Sequence, residues 1–329
     1  MRYIVLGAGA VGGTIGWGLA RAGFEVALVA RGAHLEAIRA GGLTIRRPAG
    51  DTVLEVPTVG SPAELDVRSD DVVIVATKSQ DVAGALGGLF PVAPPTVTVA
   101  CATNGVDAER QALRRFEHVV AVSTIVSATH LEPGVIRSFG TPELGILDLG
   151  PYPTSRGDLW ERCLAISGDF TLAGFRSVAD EDVMRLKYRK LVHNVRNAVG
   201  ALVGPEAADG ELAVQAQEEA LAVLASAGID VASSEEDAAR RRGLRSETTA
   251  TLVRGGSSTW QSLARGTGSV EADYLNGEIA LLARQVGVAA PVNTVLQREV
   301  QRLAARGGRP GSVSLQDLER AVAEARAGR

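Results

Sequence analysis

Short runs of consecutive apolar residues, separated by stretches in which apolar positions recur every three or four, organise the first half of the chain. Five such runs, Tyr3 to Leu6, Glu25 to Ala30, Val72 to Ala76, Val97 to Ala100 and His118 to Val122, read as strands buried on both faces. Their alternation with helical patterns predicts a mostly parallel sheet covered by helices. Between the second and third runs, Leu43 to Arg46 and Thr52 to Val56 flank the turn cluster Pro48-Ala49-Gly50-Asp51, which predicts a hairpin-like excursion. A further strand-rich piece, Ile125 to Leu149, is broken at Glu132-Pro133-Gly134 and Gly140-Thr141-Pro142. It predicts antiparallel additions at the end of the first domain.

From about Asp180 the pattern changes to long helical segments, interrupted near Gly200 to Gly210, Gly228 and Arg254 to Ser258. The first of them is expected to run as one helix from Asp182 to Leu202, with Asp180 or Asp182 as its N-cap. The expected division is residues 1–178 and residues 179–329, an α/β domain followed by a mainly α-helical one. The apolar residues Leu221, Val223, Leu224 and Ile229 suit a homodimer interface and core packing equally well.

Length and composition agree with two domains. The chain has 329 residues, of which 46% are hydrophobic and 22% charged, ordinary values for a globular protein with two cores of roughly 150 residues each. No apolar run reaches the roughly 18 residues of a membrane-spanning helix, so no membrane partner is expected. Met1-Arg2 leads straight into the first strand, without the apolar stretch of a signal peptide, and a cytoplasmic location is expected. The net charge of −4 gives no basic footprint, which argues against nucleic acid. Arg240-Arg241-Arg242 reads as a solvated helix face. Two cysteines, Cys101 and Cys163, suggest neither a disulfide framework nor a metal site; Cys101 reads as a buried small hydrophobe close to Asn104.

The first strand runs into Gly7-Ala8-Gly9-Ala10-Val11-Gly12, and an Ala/Gly-rich helical pattern follows. This is G-x-G-x-x-G in a strand-turn-helix setting, the Rossmann-type signature for a dinucleotide. The glycines permit a tight turn and close backbone approach, and the helix N-terminus offers N–H groups and positive dipole to the pyrophosphate. The second strand ends in Arg31, where NAD-preferring folds place an acid for the ribose 2′-hydroxyl. A guanidinium there can pair with a 2′-phosphate, so the expected cofactor is NADP (NADPH).

In the helical half, Lys190, Asn194 and Asn197 stand at i, i+4 and i+7, which on one regular helix is a single face. Taken alone, that stripe is equally a solvated surface. At this point the chain resembles the ketopantoate reductase (2-dehydropantoate 2-reductase) family along nearly its whole length. The resemblance rests on Gly7 to Gly12, Arg31, Ala76-Thr77-Lys78-Ser79-Gln80, Thr103-Asn104-Gly105-Val106 and Tyr188 to Asn194. It extends to Ser257-Ser258-Thr259-Trp260-Gln261, Glu271 to Gly277 and Pro291-Val292-Asn293-Thr294.

The resemblance implies NADPH-dependent reduction of a 2-oxo acid to a 2-hydroxy acid, with ketopantoate as the leading substrate. It implies Lys190 as the catalytic lysine, with Glu271 binding the substrate hydroxyl, positioning the lysine and touching the cofactor. It implies Ser258 on the substrate carboxylate, Asn104, Asn194 and Asn276 orienting substrate or nicotinamide ribose, and Lys78 on cofactor phosphate or ribose. The chain departs from the family at Ala198, where an asparagine is usual and Asn197 stands one place earlier. It departs also at Ser262, at Val270, and in a longer spacer between Ser258 and Glu271. These departures fall on the substrate side, and the alternative is a related two-domain NAD(P)-dependent dehydrogenase acting on a different oxo or hydroxy acid. A non-catalytic NADP-binding regulator is the third reading; Lys190 and Glu271 argue against it.

Overall fold

The computed structural model describes residues 1–249, 256–266 and 268–328. It divides into two compact units, Met1–Lys187 with Glu235–Arg254, and Tyr188–Ser234 with Gly255–Arg329.

The first unit is built on β1 (Arg2–Leu6), α1 (Ala10–Arg21), β2 (Glu25–Val29), α2 (Gly32–Gly41), β3 (Leu43–Arg47), β4 (Gly50–Leu54), β5 (Thr58–Val59) and β6 (Val72–Val75). It continues with α3 (Val82–Leu89), β7 (Thr98–Cys101), α4 (Ala108–Leu113), β8 (His118–Val126), β9 (Ala128–Glu132), β10 (Val135–Ser138), β11 (Gly140–Thr141), β12 (Gly145–Tyr152) and α5 (Trp160–Leu172). The main sheet has seven strands in the order β12-β8-β7-β6-β1-β2-β5. All its pairings are parallel except β12 with β8. Side-chain alternation along β1 explains why helices cover both faces. Tyr3 and Val5 enter one core with Ile15 of α1 and Phe170 of α5, whereas Ile4 and Leu6 enter another with Leu86 of α3 and Phe116.

The expected hairpin is β3–β4, with Leu43 opposite Leu54 and Arg47 opposite Gly50. It joins β10 and β9 in a second sheet, β4-β3-β10-β9. The antiparallel additions are β12 on the main sheet and β9 on the second.

Helix α6 (Val183–Asn194) carries the chain from the first unit into the second. There α7 (Asn197–Leu202) and α8 (Glu211–Ser226) follow. Next, α9 (Ser234–Arg241) and β13 (Arg245–Ser246) pack with the first unit, where β13 pairs with β11. The division at 178/179 places this stretch with the helical domain; the contacts place it with the sheet. The reason is ionic. Asp148 of β12 is buried, burial raises its pKa while Arg240 opposes the rise, and the Arg240 Nε donates to its Oδ2 at 2.6 Å. Arg240 is therefore a partner of a buried acid rather than part of a solvated face.

The second unit closes with α10 (Ser258–Ala264), α11 (Asn276–Val286), α12 (Pro291–Ala305) and α13 (Leu315–Ala327). Val223 and Leu224 lie in its core, while Leu221 is exposed. Among the described residues no helix is long and apolar enough to cross a membrane.

Candidate active site

Where β1 lies between β2 and β6, the chain's connections leave in opposite directions along the sheet, and in open parallel sheets ligands bind at the carboxyl ends of the strands at such a switch point. Gly7 follows β1 with φ +96°, and a Cβ there would meet Thr77 Cγ2 at 2.9 Å. A Cβ on Gly12 would lie 2.0 Å from the Gly7 carbonyl oxygen and 2.9 Å from the Ala76 Cβ, so only glycine lets α1 approach the turn this closely. Gly9, the N-cap of α1, is the opposite case: a Cβ there would meet no atom within 4 Å. Ala8 is buried, and Ala10 and Val11 open the helix, whose first turn contains no acid to repel a phosphate.

These features fit a dinucleotide. The glycines are required on the protein side of the turn, while Gly9 faces open space on the other. Two hydroxyls at the same strand ends, Thr77 Oγ1 after β6 and Thr103 Oγ1 after β7, are shielded from solvent and have no hydrogen-bond partner among the described residues. Neither threonine hydroxyl was singled out from sequence, because nothing local distinguishes a bonded threonine from an orphaned one.

Arg31 follows β2 as the N-cap of α2; it is exposed and has no ion-pair partner among the described residues. Lys78 is half-buried at the start of the helical turn Ser79–Asp81, and the Ser79 hydroxyl donates to the Asn104 carbonyl oxygen at 3.1 Å. Asn104 is thereby tied to the loop after β6. Cys101 is fully buried, and burial pushes its thiol pKa well up; it is an inert core residue.

The end of β7 and the middle of β8 are held by a lysine that nothing in the sequence singles out. Lys187 is 3% exposed. Its Nζ donates to the carbonyl oxygens of Cys101, Thr103 and Val122 at 3.2, 3.3 and 3.2 Å, and pairs with the buried Glu109 at 2.6 Å. Sequence offers only a lysine on a helix, a residue type that is almost always solvated.

In the second unit the helix expected from Asp182 to Leu202 is two helices, with a break at Val195-Arg196. The carbonyl groups at the end of α6 are taken by long-range side chains: Gln217 Nε2 donates to the Val192 oxygen at 3.2 Å and Asn276 Nδ2 to the Val195 oxygen at 2.9 Å. The Val199 N–H turns to the Arg196 oxygen at 3.0 Å. Lys190 and Asn194 therefore share one helix while Asn197 begins another, so the single-face argument for all three does not hold. Asn197 nonetheless returns to Asn194, its Nδ2 donating to the Asn194 Oδ1 at 3.4 Å. Ala198 is buried. Lys190, Asn194 and Asn197 are each half-buried.

Asn276 is a framework residue. It is 1% exposed, and its Nδ2 donates to the Val195 oxygen and to Asn293 Oδ1 at 3.0 Å. Asn293 in turn donates to the Ala216 oxygen and to Glu219. That network uses the amide hydrogens expected to orient substrate. Ser258 opens α10, but the capping oxygen belongs to Ser257, which accepts from the Trp260 N–H at 3.3 Å. The Ser258 hydroxyl is thus not needed as a cap. Glu271 is 3% exposed and begins the helical turn Glu271–Tyr274. The guanidinium of Arg265, a residue not singled out from sequence, has its pKa lowered by desolvation, and the Glu271 carboxylate opposes that fall.

The first unit, with its switch-point sheet and glycine turn, together with a helical second unit, defines the class of two-domain oxidoreductases with a Rossmann-type domain. The family is specified by comparison. A family model described as ketopantoate reductase PanE/ApbA matches residues 3–153, and its C-terminal counterpart matches residues 182–304. The chain belongs to the ketopantoate reductase family, oxidoreductases acting on CH–OH groups. It is 30% identical to a 2-dehydropantoate 2-reductase of Halobacterium salinarum, covering 94% of this chain and 100% of that protein. A PanE/ApbA family ketopantoate reductase from Ralstonia eutropha JMP134 superposes with a TM-score of 0.78 at 28% identity, over 93% of this chain and 99% of that one. D-mandelate dehydrogenase, solved with NADH and anilino(oxo)acetate, shares the fold with a TM-score of 0.79 at 21% identity, again over 93% and 99%.

Proposed function

We propose that this protein uses NADPH to reduce the ketone of a 2-oxo acid to a 2-hydroxy acid, with 2-dehydropantoate to pantoate as the leading reaction. The observation that carries the reading is the pairing of an open glycine turn after β1 with an exposed arginine after β2, without an ion-pair partner among the described residues, in a chain of the ketopantoate reductase family. Gly7, Ala8, Gly9, Ala10, Val11 and Gly12 cradle the pyrophosphate, Arg31 meets the 2′-phosphate, and Lys78 and Asn104 serve the remaining phosphate or ribose groups. When bound, the nicotinamide supplies the hydride.

Hydride addition to the carbonyl carbon leaves an alkoxide on its oxygen. Lys190 stabilises that charge with its ammonium and then gives up a proton, which completes the alcohol. Glu271 accepts a hydrogen bond from the substrate hydroxyl and orients the lysine, and it also contacts the cofactor. Ser258 bonds the substrate carboxylate, and Asn194 with Asn197 orients the substrate. The protein acts on small molecules and needs no nucleic-acid or membrane partner; its proposed location is the cytoplasm and its proposed assembly a homodimer.

The likeness to D-mandelate dehydrogenase, together with Ala198, Ser262 and Val270 on the substrate side, supports a second reading: the same reaction on a different 2-oxo acid. A substrate panel separates the two. NADPH oxidation, followed by loss of absorbance, is expected to show the highest kcat/KM with 2-dehydropantoate; a higher value with the oxo acid of mandelate or another 2-oxo acid selects the second reading. No oxidation with any 2-oxo acid overturns both.

Arg31→Asp is expected to weaken NADPH relative to NADH by about 10- to 100-fold, because it removes a charge-assisted pair and adds repulsion. The ratio of Kd values for the two cofactors measures this. An unchanged ratio removes Arg31 from the phosphate site.

A further inference from the structure

His34, in the first turn of α2, stands outside every role assigned above, yet its ring reaches the glycine turn. Nε2 lies 2.8 Å from the Ala8 carbonyl oxygen, and the Gly134 N–H donates to Nδ1 at 2.8 Å. Because Nδ1 accepts, the ring is neutral and its proton is on Nε2, which donates to Ala8. Burial lowers the pKa of His34, partly offset by the Ala8 bond, in keeping with a neutral ring. The ring is also held in place. His130 packs against it with ring centroids 4.0 Å apart and the planes tilted by 43°, and α2 packs so closely on the turn between β9 and β10 that a Cβ on Gly134 would lie 3.0 Å from the Ala37 Cβ. The Gly134 carbonyl oxygen accepts from the Thr44 N–H at 2.9 Å, which ties the turn to β3.

The Ala8 oxygen shares a planar trans peptide with the Gly9 N–H, so the two point in opposite directions from one rigid plate. Anchoring the oxygen fixes the direction of the N–H. Gly9 is the N-cap of α1, its N–H has no acceptor among the described residues, and the space around its Cα is open. Glycine on one side of this plate removes the steric restraint that other residues would supply, so the orientation must come from elsewhere. We infer that His34 is a positioning residue for the dinucleotide: by holding the Ala8 carbonyl it aims the Gly9 N–H at the pyrophosphate. The histidine lies one helical turn after Arg31, so α2 serves both the phosphate-selecting cation and the glycine turn.

This inference rests on the cofactor reading above. A merely structural role, stapling α2 to the second sheet, runs through Gly134 and not through Ala8. The two roles separate with His34→Asn, whose short amide keeps an acceptor near Nδ1 but cannot reach Ala8, and His34→Gln, whose amide nitrogen can replace Nε2. Binding of NADPH is read by protein fluorescence, and Tm is read without ligand. His34→Asn is expected to raise the NADPH Kd and KM about tenfold, with kcat at saturating NADPH unchanged, and His34→Gln to restore the affinity to within about threefold of wild type. Intact wild-type binding with equal affinities in the two variants, or losses of affinity that simply follow Tm, overturn the inference alone. Failure of the wild-type chain to bind NADPH or NADH overturns the cofactor reading as well.

Discussion

Replacing Lys190 by alanine is expected to lower kcat by about 10²- to 10⁴-fold, the range for losing a positioned proton donor. The alkoxide formed at the ketone carries a charge absent from the ground state, so a cation that meets it acts mainly in the transition state. Affinity for NADPH is therefore expected to stay within about threefold of wild type, a change of less than 1 kcal/mol. Lys190→Arg sharpens the test. A guanidinium keeps the charge but does not release its proton near neutral pH, so it is expected to recover part of the rate and not all of it. Steady-state kinetics with 2-dehydropantoate, beside a direct NADPH titration, supply both measurements. Parallel losses of rate and cofactor affinity make Lys190 a cofactor ligand instead.

The second large effect concerns stability. Lys187→Met leaves Glu109, which is fully buried, without its ammonium, and it also removes a donor shared by three main-chain carbonyls, of Cys101 in β7, Thr103 just after it and Val122 in β8. Breaking a buried ion pair from one side costs about 3–5 kcal/mol, because the remaining charge loses compensation while staying desolvated. Urea unfolding of the single variant is expected to show that loss. The double variant Lys187→Met with Glu109→Leu removes both charges and is expected to be more stable than Lys187→Met alone; with Glu109→Leu measured as well, the cycle gives the coupling between the two groups. A single variant within about 1 kcal/mol of wild type, the upper range of an exposed pair, shows that the pair is effectively solvated and contributes little.

Most of the scaffold was legible because its signals are local. The apolar runs became β1, β2, β6, β7 and β8, and the cluster Pro48-Ala49-Gly50-Asp51 became the β3–β4 turn. The spacing of Gly7 and Gly12 was readable for the same reason, since both glycines answer to atoms within a few residues or on the adjoining strands, whereas Gly9 meets no atom of the chain within 4 Å. The helical half was less legible. The pattern from Asp182 to Leu202 is helical throughout, and what breaks it is Asn276 and Gln217, which lie far along the chain from Val195 and Val192. Arg240 had the sequence signature of a solvated run and instead bonds Asp148, 92 positions away.

Among the candidate residues the same distinction holds. Ser257 and Ser258 are adjacent serines of equal standing in sequence, and only the geometry of α10 shows which one caps the helix. Asn276 carries a family resemblance, but its partners are Val195, in the break between α6 and α7, and Asn293 of α12. His34 reads as an ordinary helical residue until α2, the glycine turn and the β9–β10 turn are brought together.

The sequence by itself determined the parallel sheet, the glycine turn, Arg31 at the end of β2 and a helical second half, because periodicity, turn chemistry and helix capping are decided by neighbours a few residues apart. Only the tertiary structure decided where the chain's long-range polar partners lie: Lys187 on Glu109, His34 on Ala8, and Asn276 and Gln217 on the end of α6. A buried polar group must find its partner wherever folding brings one, and sequence separation carries no record of that choice.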